Sequence, residues 1–195
     1  MNVADFLRSI NLFDVLVILV LFGFFIVGFI QGTIRRLVGI LSIVFSFFFA
    51  AQVEVQLGGF LGDNWDQFPR EYAAMIGFLA VFVAAVIAFS LIIQGTYKKA
   101  PLWVKYPALD EAIGGVLGIV QGFLLLMFLM IILDQFFLLS NFPTDPDELP
   151  FLRDFWNTVN ASGTGALLHQ TVIPNFIALT GFLVPGSIKL LYGVG

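Results

Sequence analysis

The chain lacks cysteine altogether and carries little charge. With no Cys among 195 residues, disulfides, thiolate metal sites and cysteine nucleophiles are excluded, and the redox compartment leaves no signature. Charged residues make up only 11% of the chain and hydrophobic residues 59%; a soluble domain has about 25% and roughly 45–50%. Mean hydropathy is +1.00. A chain this apolar cannot cover its own surface with polar groups, so a water-soluble globule is excluded. The same composition excludes disorder, and a net charge of -4 gives no footprint for nucleic acid. A basic leader region is missing too, because Asp5 accompanies Arg8. The first apolar run therefore reads as a retained helix.

What is present is apolar length. A bilayer core of about 30 Å needs roughly 20 mostly apolar residues in one helix. Four stretches qualify: residues 12–30, 37–53, 72–94 and 112–133, with Asp14 their only charge. They do not alternate as barrel strands do, and lipid offers no partner to free backbone groups, so the spans must be helices. Asn11 is placed to cap the first span, and Asp14 lies at its positive end. The fold class is an all-α membrane protein with four transmembrane helices, occupying residues 1–139, with its one bound phase the lipid bilayer.

Basic residues set orientation. Arg35 and Arg36 follow the first span, and Lys98, Lys99 and Lys105 follow the third, together five of nine basic residues. The remaining segments hold eleven of the thirteen acids. The two basic loops are thus expected in the cytoplasm as anchors, with the N-terminus outside. Glu54 and Asp134 end spans two and four, where they read as interfacial.

Residues 140–195 differ. Pro143, Pro146 and Pro150 bracket an acidic loop. Residues 151–160 place Phe155, Trp156 and Val159 at helical spacing among polar neighbours, an amphipathic helix of interfacial type. Residues 166–195 are apolar but interrupted by Pro174, Pro185 and several Gly. They cross, re-enter or lie on the membrane, with a straight fifth span the least favoured.

Two internal patterns stand out. Ile30-Gln31-Gly32-Thr33 recurs as Ile93-Gln94-Gly95-Thr96, each followed after one residue by a basic pair. That spacing fits two tandem helical hairpins, spans one–two and three–four, or simply two helix ends with basic anchors. Small residues let helices approach in membranes. Gly28 and Gly32 on span one, and Gly114, Gly118 and Gly122 on span four, keep four-residue spacing. Spans two and three carry small faces too: Gly39, Ser42, Ser46 and Ala50, and Gly77, Ala80, Ala84 and Ala88. A tight bundle is expected, or an oligomer contact through the same residues. Gln121 is the deepest polar side chain, either lining a polar path or forming an interhelical hydrogen bond.

On these residues the chain resembles the colicin V production (CvpA-type) family of bacterial inner-membrane proteins. One element is Gly28-Phe29-Ile30-Gln31-Gly32-Thr33-Ile34-Arg35-Arg36, with Asp14 upstream. The other begins Asp110-Glu111 and runs through Gly114 and Gly118 to Gln121-Gly122. The resemblance spans roughly residues 12–134. Gln31 and Gln121 stand where the family tends to have Arg, Arg36 where it has Glu, and Glu111 where it has Arg. The resemblance implies a protein needed for producing or exporting a peptide toxin and linked to envelope integrity. It makes Gln31, Gln121, Asp14 and Asp110 the candidate polar functional residues.

An enzyme is not expected. The sole His, His169, has no acidic neighbour in sequence, and neither a nucleophile elbow nor a phosphate loop is present. No cofactor and no metal are expected, since one His does not make a zinc site. Two classes remain: a membrane scaffold working with a membrane-protein partner or as a homo-oligomer, and a small transporter or channel component.

Overall fold

The computed structural model describes residues 11–64, 70–96, 106–137 and 150–193. Four long helices dominate: α1 (Leu12–Gln31), α2 (Thr33–Asn64), α3 (Arg70–Thr96) and α4 (Pro107–Phe137). Each contains a stretch long and apolar enough to cross a membrane. Beyond them come α5 (Pro150–Asn160), α6 (Gly163–Leu167), a π-helical turn (Leu168–Val172), α7 (Ile173–Thr180) and α8 (Gly186–Leu191). No strand occurs among the described residues.

Local chemistry explains the helix ends. Asn11 is extended, and its side chain accepts from Phe13 N at 2.8 Å, satisfying a free donor of the first turn. One residue, Gly32, separates α1 from α2. Its φ of +79° and ψ of 176° lie in a region open essentially to glycine alone. Its N–H still bonds Gly28 O at 2.9 Å. This corrects the expected loop: Arg35 and Arg36 lie in the first turn of α2, and Arg36 is buried. The repeated motif also behaves differently in its two copies, since Gly32 breaks the helix whereas Gly95 continues α3. Lys98, Lys99 and Lys105 lie outside the described residues, as does the acidic loop before Pro150.

Helix pairing differs from two consecutive hairpins. α2 packs most extensively on α3, and α1 on α4, while α1 and α2 touch only sparsely. α4 also packs on α2, so it joins the two pairs. The reason is surface shape, since α1 and α4 both present glycines, and helices pair where their surfaces fit rather than in chain order. Of the small residues Gly77, Ala80, Ala84 and Ala88 of α3, only Gly77 faces the bundle, where a Cβ would meet Leu61 Cδ1 at 3.2 Å. Ala80, Ala84 and Ala88 are exposed, while Phe78 and Phe82 are buried, turned toward a part of α2 whose Ser46, Ala50 and Ala51 are themselves fully buried. Phe78 meets the Phe47 ring of α2 at 5.8 Å.

The core lies toward the Asp134 end of α4. Phe47 stacks on Phe128 at 4.2 Å, and Phe82 meets Phe128 edge-on at 6.2 Å. The C-terminal segment docks on this part of the bundle. Phe176 packs against Phe47, Phe48 and Phe128. Phe128 is about 9 Å below Asp134 along α4, at roughly 1.5 Å per residue. The segment then returns: Leu183 O accepts from Gln52 Nε2 at 3.1 Å, and Tyr192 reaches Asp134. It dips partway along the bundle and comes back. Leu168, Ile173, Ile177 and Ile188 are fully buried beneath it, whereas Leu179, Phe182 and Leu190 are about four-fifths exposed. Those exposed side chains form an apolar outer surface suited to lipid.

Candidate functional site

The contact of α1 with α4 is built on glycine. A Cβ at Gly28 would overlap Gly114 O, and one at Gly118 would overlap Phe24 O. A Cβ at Gly114 would stand 2.9 Å from Gly32 Cα. The two backbones therefore run against each other from Phe24 to Gly32. Gly122 continues the line against the Phe24 ring, where an added Cβ would meet ring carbon at 2.9 Å. At the joint, Thr33 Oγ1 donates to Asp110 O at 3.0 Å. Asp110 is buried, and its Oδ2 occupies the space beside Gly32 that a side chain there would need.

On the other side of α1 its divergence from α2 opens a cavity of about 560 Å³. α1 forms one wall, α2 and α3 the other, and α4 the floor. Arg36 projects from α2 across this space. Its Nη1 donates to Gln121 Oε1 at 2.6 Å, and the guanidinium lies 6.0 Å from the Phe24 ring centroid. Arg36 is only 5% exposed, and its Nε has no hydrogen-bond partner. Gln121 thus makes an interhelical bond and also lines the cavity, as does Gln31. Positions 36 and 121 are the two ends of one hydrogen bond.

A second polar cluster forms at the opposite end of α4. Asp134 is fully buried, not interfacial as its position at the end of an apolar run suggests. His169 Nε2 lies 3.0 Å from both of its carboxylate oxygens, and the Tyr192 hydroxyl donates to Oδ2. Burial, and then the adjacent carboxylate, push the Tyr192 phenol above its ordinary range. Trp156 covers the site, stacked on Phe137 at 5.0 Å and edge-on to His169 at 5.3 Å. The acidic neighbour that His169 lacks in sequence is supplied by α4. Ser162 is no part of the cluster: its hydroxyl donates to Val159 O at 2.5 Å and accepts from Gly165 N at 2.8 Å, capping α6.

Asp14 takes a role between helices. It accepts from Gly163 N at 3.0 Å and Thr164 N at 2.8 Å, at the start of α6. Asn11 Nδ2 donates to Thr158 O at 2.9 Å nearby, so the start of α1 is tied to the α5–α6 connection. The structure brings together Gly28, Gly32, Gly114, Gly118 and Asp110 at the seam, and Gln31, Arg35, Arg36 and Gln121 at the cavity. Asp14 stands apart from both. His169 and Tyr192 were not singled out by the sequence. The one available signal was that a lone carboxylate ending a long apolar run needs a donor.

The family model described as Colicin V production protein matches residues 13–159. No curated protein and no solved structure matches the chain. The matched residues take in α1 through most of α5 and both ends of the Arg36–Gln121 bond, but they stop before His169 and Tyr192. With four apolar helices of spanning length and three-quarters of its residues within that model, this multi-pass membrane protein belongs to the colicin V production family.

Proposed function

We propose that the protein is a non-enzymatic scaffold of the bacterial inner membrane that supports toxin production or export, or envelope homeostasis, by holding a membrane-protein partner or a further copy of itself. The observation that carries this reading is the closed core. A transport path needs a void or a polar lining through the bundle. Here Phe47, Phe82, Met127 and Phe128, each at most 1% exposed, fill the section between the cavity and Asp134.

The positive-inside rule supports placing the Arg35–Arg36 end in the cytoplasm together with Lys98, Lys99 and Lys105, and the N-terminus outside. The dip of residues 168–192 then enters from the outer face as a re-entrant segment. Because native Cys is absent, Lys99→Cys and Asp145→Cys can be labelled in intact cells. An impermeant thiol reagent is expected to reach position 145 and not 99; the reverse pattern inverts the topology.

The competing reading is a transport component, favoured by the open cavity and by Gln121 on its wall. Purification from the native host in mild detergent separates the two. A discrete envelope or secretion partner at fixed stoichiometry supports the scaffold. Homo-oligomers that carry flux in liposomes, with flux lost in folded Gln121→Leu, overturn it.

A further inference from the structure

We infer that the cavity between α1 and α2 is a binding site for one acidic phospholipid, with its phosphate at Arg36 and Arg35 and one acyl chain along the apolar wall. The inference depends on membrane placement and not on the scaffold reading.

Three observations converge. First, the cavity carries charge of one sign. Arg35 and Arg36 both line it, and among the described residues no carboxylate does. Second, Arg36 is 5% exposed yet keeps an unpartnered Nε, and the acceptor it does have, Gln121, is neutral. A buried guanidinium is stable when paired and hydrogen-bonded, and one left with a free donor in low dielectric favours an anion. A phosphate has an oxygen for the unpartnered Nε, and a planar guanidinium suits phosphate oxygens better than the point charge of lysine does. α2 begins at Thr33, so the positive end of that helix adds to the field at the same place.

Third, away from the arginines the walls are hydrocarbon. Val20, Val27, Ile43, Val86 and Leu125 line the cavity beyond the arginine end. A free phosphate would satisfy the guanidinium and leave those walls empty. A neutral lipid tail would fill the walls and leave the charge unanswered. An acidic phospholipid does both, with the rest of the molecule in the surrounding bilayer. The volume of about 560 Å³ suits a headgroup and part of one chain.

The test is native mass spectrometry of the full chain in neutral detergent with equimolar phosphatidylglycerol and phosphatidylcholine. One phosphatidylglycerol is expected to be retained in preference by about tenfold or more: both lipids carry a phosphate, but the choline cation cancels its charge and leaves the two arginines unneutralised, whereas phosphatidylglycerol brings a net negative charge, worth about 1.4 kcal/mol at that ratio. Arg35→Gln/Arg36→Gln should bring the two lipids to parity. Gly23→Leu supplies a variant that spares the charge: a Cβ at Gly23 meets nothing within 4 Å, and the residue lines the cavity. It should reduce retention of both lipids in a chain that keeps its fold, and it decides the question if the double arginine variant does not fold. Equal retention of both lipids by the wild type, or undiminished retention of phosphatidylglycerol in Gly23→Leu, overturns the site. Inorganic phosphate raising the thermal midpoint as far as phosphatidylglycerol does assigns the arginines to a free anion and overturns the lipid.

Discussion

The two ends of α4 handle a buried charge in opposite ways. At one end Asp134 is held by His169 and Tyr192, with the Trp156 ring against His169. At the other end Arg36 donates to the neutral Gln121, keeps an unpartnered Nε and faces an open cavity. The Asp134 partners come from residues beyond the family match, whereas Arg36 and Gln121 lie within it. An ionisable group fully satisfied by its own chain holds structure together. One left with an unused donor is available to something else.

That contrast can be broken at either end. The largest effect is expected from Asp134→Ala, which leaves a buried imidazole and phenol without their acceptor. A loss of about 3–5 kcal/mol, the range for removing one partner of a buried pair, should appear in unfolding in detergent, with the C-terminal segment cut early in limited proteolysis. Gly118→Leu should follow at about 3 kcal/mol, the upper end for overpacking, because its Cβ meets backbone that cannot step aside. An unchanged thermal midpoint there would show that α1 and α4 are not in close contact. Gln121→Leu removes the acceptor of Arg36 Nη1 and should lower stability by about 2 kcal/mol, with the midpoint recovering on addition of phosphatidylglycerol.

Tyr192→Phe is the mildest and sharpens the comparison through pH, at about 1 kcal/mol. The Tyr192 phenol is raised above its ordinary value in the folded chain. Its contribution is therefore full below about pH 10, where a free phenol titrates, and declines above that because the unfolded chain then gives up a proton the folded one keeps. Thermal midpoints at alkaline pH should fall more steeply in wild type than in Tyr192→Phe.

Much of the fold was legible because lipid imposes a length rule. Runs of about 20 apolar residues are visible without any knowledge of packing. The glycine spacing carried a second signal, since the seam of α1 and α4 runs along the same Gly28, Gly114 and Gly118 that the four-residue interval marks. Partner choice was not legible. Ala80, Ala84 and Ala88 keep a similar spacing and face outward, because a small face permits close approach without requiring it. Arg35 and Arg36 read as a loop because a basic pair after glycine often marks a helix end, whereas a single glycine in an unusual conformation suffices to start α2. The Asp134 cluster was out of reach for a different reason. Its members are 35 and 58 residues apart in sequence, and only the return path of a proline-interrupted segment brings them together.

The single-residue joint at Gly32 has a mechanical consequence. With nothing else between α1 and α2, the angular phase of one helix is handed directly to the next. One residue inserted in the first turn of α2, between Gly32 and Arg36, would turn Arg36 by about 100° around the helix axis, swinging its guanidinium away from α4 while the glycine seam stayed in register. The spacing of that seam and the aim of that arginine are therefore a single inherited setting, with no slack for either to drift alone.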